Sequence, residues 1–138
     1  MLPSMLVVSL LAIYPHTPAR MCMERRQVEI GQQATDAAAA TGVPIELLAA
    51  VGFHESHVGC DEADWGAPVD RFHRHIAGTP LHAARALARS YEVCGDWRGA
   101  VTRFRSGLCS LPAGDVRKHY VASVMRLADR LRATASRE

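Results

Sequence analysis

The sequence predicts an all-α fold. Beyond residue 19, apolar residues recur at spacings of three and four, and no window sustains the period-two alternation of a half-buried strand. Glycine, proline and aspartate stand between the apolar stretches, where helices usually begin and end. With 138 residues, 49% of them hydrophobic, the chain is long enough for one domain with its own core. We expect this domain to be a monomer.

Two helices are predicted in the first half of the chain. One runs from about Glu24 to Ala40, and Thr41-Gly42 supplies its stop. The next begins at Pro44, because proline is favoured at the first helical position. Its apolar stripe leads directly to Glu55 and consists of Leu47, Leu48 and Val51.

Three more helices are predicted in the second half. Thr79-Pro80 is a strong helix start, and Gly95 ends the helix that follows. Asp96 caps a short helix from Trp97 to about Phe104, and Asp115 caps the last helix. The apolar faces predicted for the first and last of these three helices are Leu81, Ala84, Leu87, Ala88 and Tyr91, and Val116, Tyr120, Val124, Leu127 and Leu131.

Residues 1–19 have the features of a signal peptide. Met5 to Tyr14 is apolar and too short to span a bilayer, and Thr17-Pro18-Ala19 offers small residues for cleavage. The segment before it has no lysine or arginine, so a buried N-terminal helix is the alternative. The domain itself is predicted to span residues 20–138.

The cysteine content and the net charge limit the compartments and the partners that we expect for the protein. Cys22, Cys60, Cys94 and Cys109 form an even set that an oxidising compartment could pair in three ways, with Cys94–Cys109 our first choice. We therefore predict a periplasmic or extracellular protein. The net charge is only +2, without a basic stripe interleaved with aromatic residues, so no nucleic-acid partner is expected.

Three segments resemble the soluble lytic transglycosylases. Pro44 to Ser56 is similar to the family's catalytic helix, which ends in a Glu-Ser pair, here Glu55-Ser56. Trp97 to Gly107 looks like the segment that carries a Tyr-Asn pair, here Phe104-Arg105, and His119-Tyr120-Val121 resembles the closing helix. The resemblance implies a small helical domain of the lysozyme type, with a cleft that binds peptidoglycan glycan strands.

The resemblance also implies the roles of the site residues. Glu55 would be the general acid and base, and no cofactor or metal is needed. Its position on the core-facing stripe would favour the uncharged form that a proton donor requires. The predicted substrate-binding residues are Ser56, Trp65, Phe104, Arg105 and Tyr120. Trp65 is predicted to stack on sugar rings.

The chain departs from the family pattern in two places. Trp65-Gly66-Ala67-Pro68-Val69-Asp70 stands where the family has a Gly-Leu-Met-Gln type segment, and Phe104 lacks the hydroxyl of the family's tyrosine. A non-catalytic peptidoglycan-binding module of a secretion apparatus or a phage particle is therefore an alternative. A lysozyme-type hydrolase is another, with a second carboxylate drawn from Asp61, Glu62, Asp64 or Asp70.

The segment from Gly59 to Gly78 follows Glu55 and has weak periodicity. A loop of this length in a compact domain is usually functional, so we predict that it walls a cleft. A zinc site is a weaker alternative that would use histidine and cysteine side chains in this region, namely His54, His57, Cys60, His73 and His75. Their spacing does not match the HExxH motif of metalloproteases.

Overall fold

A computed structural model describes residues 2–61, 65 and 79–136. This part of the chain contains helices and no strand, so the all-α class predicted from the sequence is confirmed. Its seven helices are α1 Pro3–Ile13, α2 Arg20–Arg25, α3 Gln27–Thr41, α4 Ile45–Ser56, α5 Pro80–Cys94, α6 Trp97–Ser106 and α7 Arg117–Ala135.

Most of the predicted helix boundaries agree with the structure, because the capping side chains act as expected. The Thr79 hydroxyl accepts a hydrogen bond from the backbone N–H of His82 at 3.1 Å and begins α5. The Asp96 carboxylate caps α6 in the same way, through the N–H of Gly99. Gly95 ends α5 in the left-handed conformation, at φ 86°.

Helix α7 begins slightly later than predicted. The carboxylate of Asp115 accepts from the N–H of Arg117 at 2.9 Å, and Val116 lies in the turn between them. The side chain of Val116 is 76% exposed, so its predicted place in the apolar stripe is wrong. The stripe itself is correct further along, where Val124, Leu127 and Leu131 are buried.

The first predicted helix is divided into α2 and α3 by a turn at Arg26. The guanidinium of Arg26 donates to the carbonyl oxygen of Gly59 at 3.1 Å, just after the end of α4. The neighbouring helix α2 carries Cys22, which forms a disulfide with Cys60. The break therefore occurs where this part of the chain is tied to the segment that follows Glu55.

The segment predicted as a signal peptide forms α1, which packs mainly on α3. Leu6, Val7 and Leu10 of α1 are fully buried, and Ile30 of α3 is buried in the same core. These contacts are those of the alternative considered above, a buried N-terminal helix. Cleavage after residue 19 stays a prediction, and it would remove this helix from the core.

Helix α4 is the central helix of the fold. It contacts α3, α5 and α7, and every residue from Leu47 to Phe53 is buried. A helix that is apolar on all sides is stable only in such a position. Glu55 lies in its last turn, where the helix reaches the surface of the bundle.

Two disulfides connect the described helices. Cys22–Cys60 joins α2 to the end of α4, and Cys94–Cys109 joins the end of α5 to the segment after α6. The pair chosen first from the sequence is therefore present. No helix in the described part of the chain has the length and apolar character needed to cross a membrane.

Candidate active site

Glu55 lies at the C-terminal end of α4, and its side chain is half-buried. The helix stops because His57 and Val58 both adopt the left-handed conformation, at φ 50° and 54°. This conformation is costly for a β-branched residue such as valine and persists only where the surroundings hold it. Here the N–H of Val58 donates to the carbonyl of Gly52 at 2.9 Å, which closes the helix end.

Ser56, the second member of the Glu-Ser pair, is buried. Its hydroxyl oxygen accepts a hydrogen bond from the N–H of Gly59 at 2.9 Å, and its carbonyl accepts from the N–H of Asp61 at 3.0 Å. These bonds hold the tight turn between Glu55 and the disulfide at Cys60. Ser56 therefore supports the position of Glu55 through the turn.

Tyr120 of α7 is the direct partner of Glu55. Its hydroxyl donates a hydrogen bond to Oε1 of the carboxylate at 2.6 Å, although the two residues are 65 positions apart in the chain. Burial raises the pKa of Tyr120 well above its usual 10, and the negative charge of Glu55 raises it further. Tyr120 is therefore a protonated donor throughout the physiological pH range.

Arg105 of α6 contacts the ring of Tyr120. Its guanidinium carbon lies 5.1 Å from the centre of the Tyr120 ring, which is a cation–π arrangement. Arg105 itself is exposed. The structure thus brings together three residues that the sequence predicted for the site: Glu55 from α4, Arg105 from α6 and Tyr120 from α7.

His54 is a neighbour that the sequence suggested only as a metal ligand. Its ring centre is 6.4 Å from that of Tyr120 and 5.8 Å from that of Phe53. Burial lowers the pKa of His54, so the ring is uncharged at neutral pH. Within the described residues its buried Nε2 atom has no hydrogen-bond partner. The partly buried ring lies beside Tyr120 and has a hydrogen bond with the backbone of Ser123.

Three of the predicted substrate contacts are buried, namely Ser56, Trp65 and Phe104. Trp65 is only 2% exposed and its ring lies against Gly52, in the space that the side chain of any other residue would need. Phe104 is 6% exposed and belongs to the same core. Both rings pack in the core here, and a contact of either with a sugar stays a prediction.

The polar residues near the end of α4 have other partners. His57 Nδ1 lies 2.6 Å from a carboxylate oxygen of Asp61, and Cys60 is in the disulfide with Cys22. Cys60 is thus unavailable for a zinc site, while His73 and His75 lie outside the described residues. The other acids considered as a second carboxylate also lie outside them, namely Glu62, Asp64 and Asp70.

The segment predicted to wall a cleft, from Gly59 to Gly78, lies for the most part outside the described residues. Within the described chain, the known contacts of Glu55, Tyr120 and Arg105 involve no second acid. The arrangement therefore offers one carboxyl group oriented by one phenol. Chemically, it can donate a proton and later accept one.

Comparisons with protein-family models, with characterised proteins and with solved structures give no match.

Proposed function

We propose that the protein is a peptidoglycan lytic transglycosylase with a lysozyme-like fold, in which Glu55 is the catalytic acid and base. The observation that carries the proposal is the hydrogen bond from Tyr120 to Oε1 of the half-buried Glu55. It joins the two segments, one ending in Glu55-Ser56 and one containing Tyr120, whose sequences resemble the catalytic and closing helices of that family. The two disulfides suit a periplasmic or extracellular enzyme.

In this proposal the two carboxyl oxygens of Glu55 have separate tasks. Because Oε1 accepts the hydrogen bond of Tyr120, Oε2 is the oxygen that would transfer the proton in this mechanism. In the first step this proton passes to the glycosidic oxygen between N-acetylmuramic acid and N-acetylglucosamine, and the bond to the anomeric carbon breaks. The N-acetyl group of the substrate stabilises the positive charge that develops at that carbon.

In the second step the ionised Glu55 takes the proton from the 6-hydroxyl of the muramic acid. The 6-oxygen then bonds to the anomeric carbon and closes a 1,6-anhydro ring, so no water is consumed and Glu55 regains its proton. The Tyr120 hydroxyl stabilises the carboxylate between the two steps, since hydrogen bonds to charged groups are the stronger ones. No second carboxylate is required by this mechanism.

The test is mass spectrometry of purified peptidoglycan digested with the full chain. Wild type should release anhydro-muropeptides, and Glu55→Gln should lower the rate at least about a hundredfold, because general acid catalysis contributes about 10² to 10⁴. Glu46→Gln, in the first turn of the same helix, is the matched control and should keep the wild-type rate.

Other products of the digest would identify one of the alternative functions. Reducing ends in place of anhydro ends would indicate a lysozyme-type hydrolase, and the acids to test as its second carboxylate are Glu62, Asp64 and Asp70. No product from wild type, with binding to the peptidoglycan retained, would overturn the enzyme and leave a non-catalytic module of a secretion system or phage particle.

A further inference from the structure

A second feature of the α6–α7 side of the molecule is a cavity of about 350 Å³. It lies between α6, the segment that follows it and the first turns of α7. This volume is within the range of small-ligand sites. Its lining consists of Arg98, Thr102, Cys109, Ser110, Leu111, Lys118, Val121 and Ala122.

The charged groups of this cavity are both cations. Arg98 and Lys118 are exposed, and neither side chain forms an ion pair or a hydrogen bond with another described residue. Asp115, three residues before Lys118, is paired with Arg117 at 2.7 Å, and Asp96, two residues before Arg98, caps α6 through the N–H of Gly99. Two positive charges therefore line one cavity, and neither forms an ion pair with a described carboxylate, which favours an anionic ligand.

Between these cations the wall is apolar. Val121 is buried and Ala122 and Leu111 are partly buried, so the cavity offers aliphatic surface about the size of small side chains. The hydroxyl of Thr102 is already engaged, because it donates to the carbonyl of Arg98 at 2.8 Å. The hydroxyl of Ser110 is the remaining polar side chain of the lining.

The wall formed by the segment after α6 is held in place from both ends. The disulfide Cys94–Cys109 fixes it to the end of α5, and the hydroxyl oxygen of Ser106 accepts from the N–H of Leu108 at 3.1 Å. At its other end Asp115 is fixed by Arg117. Because its walls are fixed in this way, the cavity would lose little conformational freedom when a ligand binds. Such preorganisation favours affinity.

We propose that this cavity binds a short peptide with free carboxylates and small aliphatic side chains. Arg98 and Lys118 would bind the carboxylates, and Leu111, Val121 and Ala122 would contact the side chains. The identity of the peptide rests on the proposed function: it is the stem peptide attached to the muramic acid of the glycan. The helices α6 and α7 that line the cavity also carry Arg105 and Tyr120, and Tyr120 is the hydrogen-bond partner of the acid Glu55 on α4.

The test is titration of the full wild-type chain with the synthetic tetrapeptide L-Ala-γ-D-Glu-L-Lys-D-Ala, followed by calorimetry and by amide chemical shifts. We expect saturable binding with shifts at residues 98–102, 109–111 and 118–122. The double variant Arg98→Gln/Lys118→Gln should weaken binding at least about tenfold, since it removes two charge-assisted contacts. The control Arg85→Gln/Arg89→Gln removes the same charge from exposed positions on α5 and should bind as wild type.

Equal affinity of the wild type and the Arg98/Lys118 variant would overturn the proposal, as would chemical shifts elsewhere. Displacement of the peptide by equimolar inorganic phosphate would also overturn it, because the cavity would then be a general anion site. The tetrapeptide contains no glycosidic bond, so its binding is independent of cleavage. Binding without anhydro products would refute the transglycosylase alone, and cleavage without binding would refute the peptide site alone.

Discussion

At the scale of single residues, the hydroxyl of Tyr120 decides how Glu55 is presented. A glutamate side chain at a helix end has several rotamers, and a hydrogen bond at 2.6 Å to one of its oxygens selects among them. The ring of Tyr120 in turn contacts the ring of His54 and the guanidinium of Arg105. The orientation of the acid is thus set by three side chains from three helices.

We expect Tyr120→Phe to keep the fold and lose most of the activity. The variant retains the ring and its contacts but removes the donor to Oε1. A hydrogen bond to a charged group contributes about 1.5–3 kcal/mol, so the rate of anhydro-muropeptide release should fall about tenfold or more. Tyr91→Phe, on the exposed side of α5, is the control. An unchanged rate in Tyr120→Phe would show that this bond has no part in catalysis.

The same residue predicts a loss of stability in alkali. Because burial raises the pKa of Tyr120, the folded state keeps a proton that an unfolded tyrosine releases near pH 10. Above that pH the folded state binds more protons, so the free energy of unfolding must fall as the pH rises. Urea unfolding between pH 9 and 11 should show a shallower fall for Tyr120→Phe than for wild type. Parallel curves would contradict the assigned burial.

At the scale of elements, α4 and Trp65 fit together through a glycine. A Cβ atom added to Gly52 would lie 2.7 Å from Cζ3 of Trp65, closer than two carbon atoms can approach. We expect Gly52→Ala to lower the stability by about 1–3 kcal/mol, despite the better helix propensity of alanine. In a Trp65→Leu background the same change should lower the stability by less. Thermal unfolding of the wild type, the two single variants and the double variant would measure the difference. Additive effects would argue against direct contact.

The burial of helix α1 leads to a separate prediction. Leu10 is fully buried, so Leu10→Ala should lower the stability by about 2–5 kcal/mol. Val8→Ala on the exposed side of the same helix should change it by less than about 0.5 kcal/mol. Denaturant unfolding of the full chain measures both, and equal effects would mean that α1 does not pack on α3. The N-terminal mass of exported protein would show whether residues 1–19 are retained.

Helix ends could be predicted from the sequence where one side chain determines them, as at Thr79 and Asp96. Apolar faces were predicted less well: Val116 is 76% exposed, and Tyr91 is 39% exposed, with its ring tilted against that of Trp97. The buried position of Trp65 could not be predicted, because the residue comes from no periodic element. Gly52, in the middle of a helix, was the one signal of a close approach at that point.

The residues proposed for the candidate site could be selected from the sequence, but the contacts between them could not be predicted from it. Glu55, Arg105 and Tyr120 stood out because they belong to segments that resemble one family. The hydrogen bond between Glu55 and Tyr120 depends on how α4 packs against α7, which periodicity does not specify. His54 was missed as a neighbour of Tyr120 for the same reason.

At the scale of the whole molecule, the two disulfides should contribute much of the stability. They close loops with sequence separations of 38 and 15 residues, which corresponds to about 4 and about 3 kcal/mol in the chain-entropy model. We expect Cys22→Ser/Cys60→Ser to lower the midpoint of denaturant unfolding more than Cys94→Ser/Cys109→Ser. Reduction of the wild type with dithiothreitol should lower it further than either pair. No effect of dithiothreitol would mean that the cysteines are not paired.

The hydrogen bond between Glu55 and Tyr120 also has a consequence for biosynthesis. The ribosome makes α4 long before α7, so an emerging chain contains the acid without the tyrosine that orients it. Until α7 is released and packs, the apolar surface of α4 that it covers stays open and Glu55 has no fixed direction. Under the proposed function, the protein would acquire its activity only when α7 packs on α4, in the last step of folding, and incomplete chains would not cleave peptidoglycan.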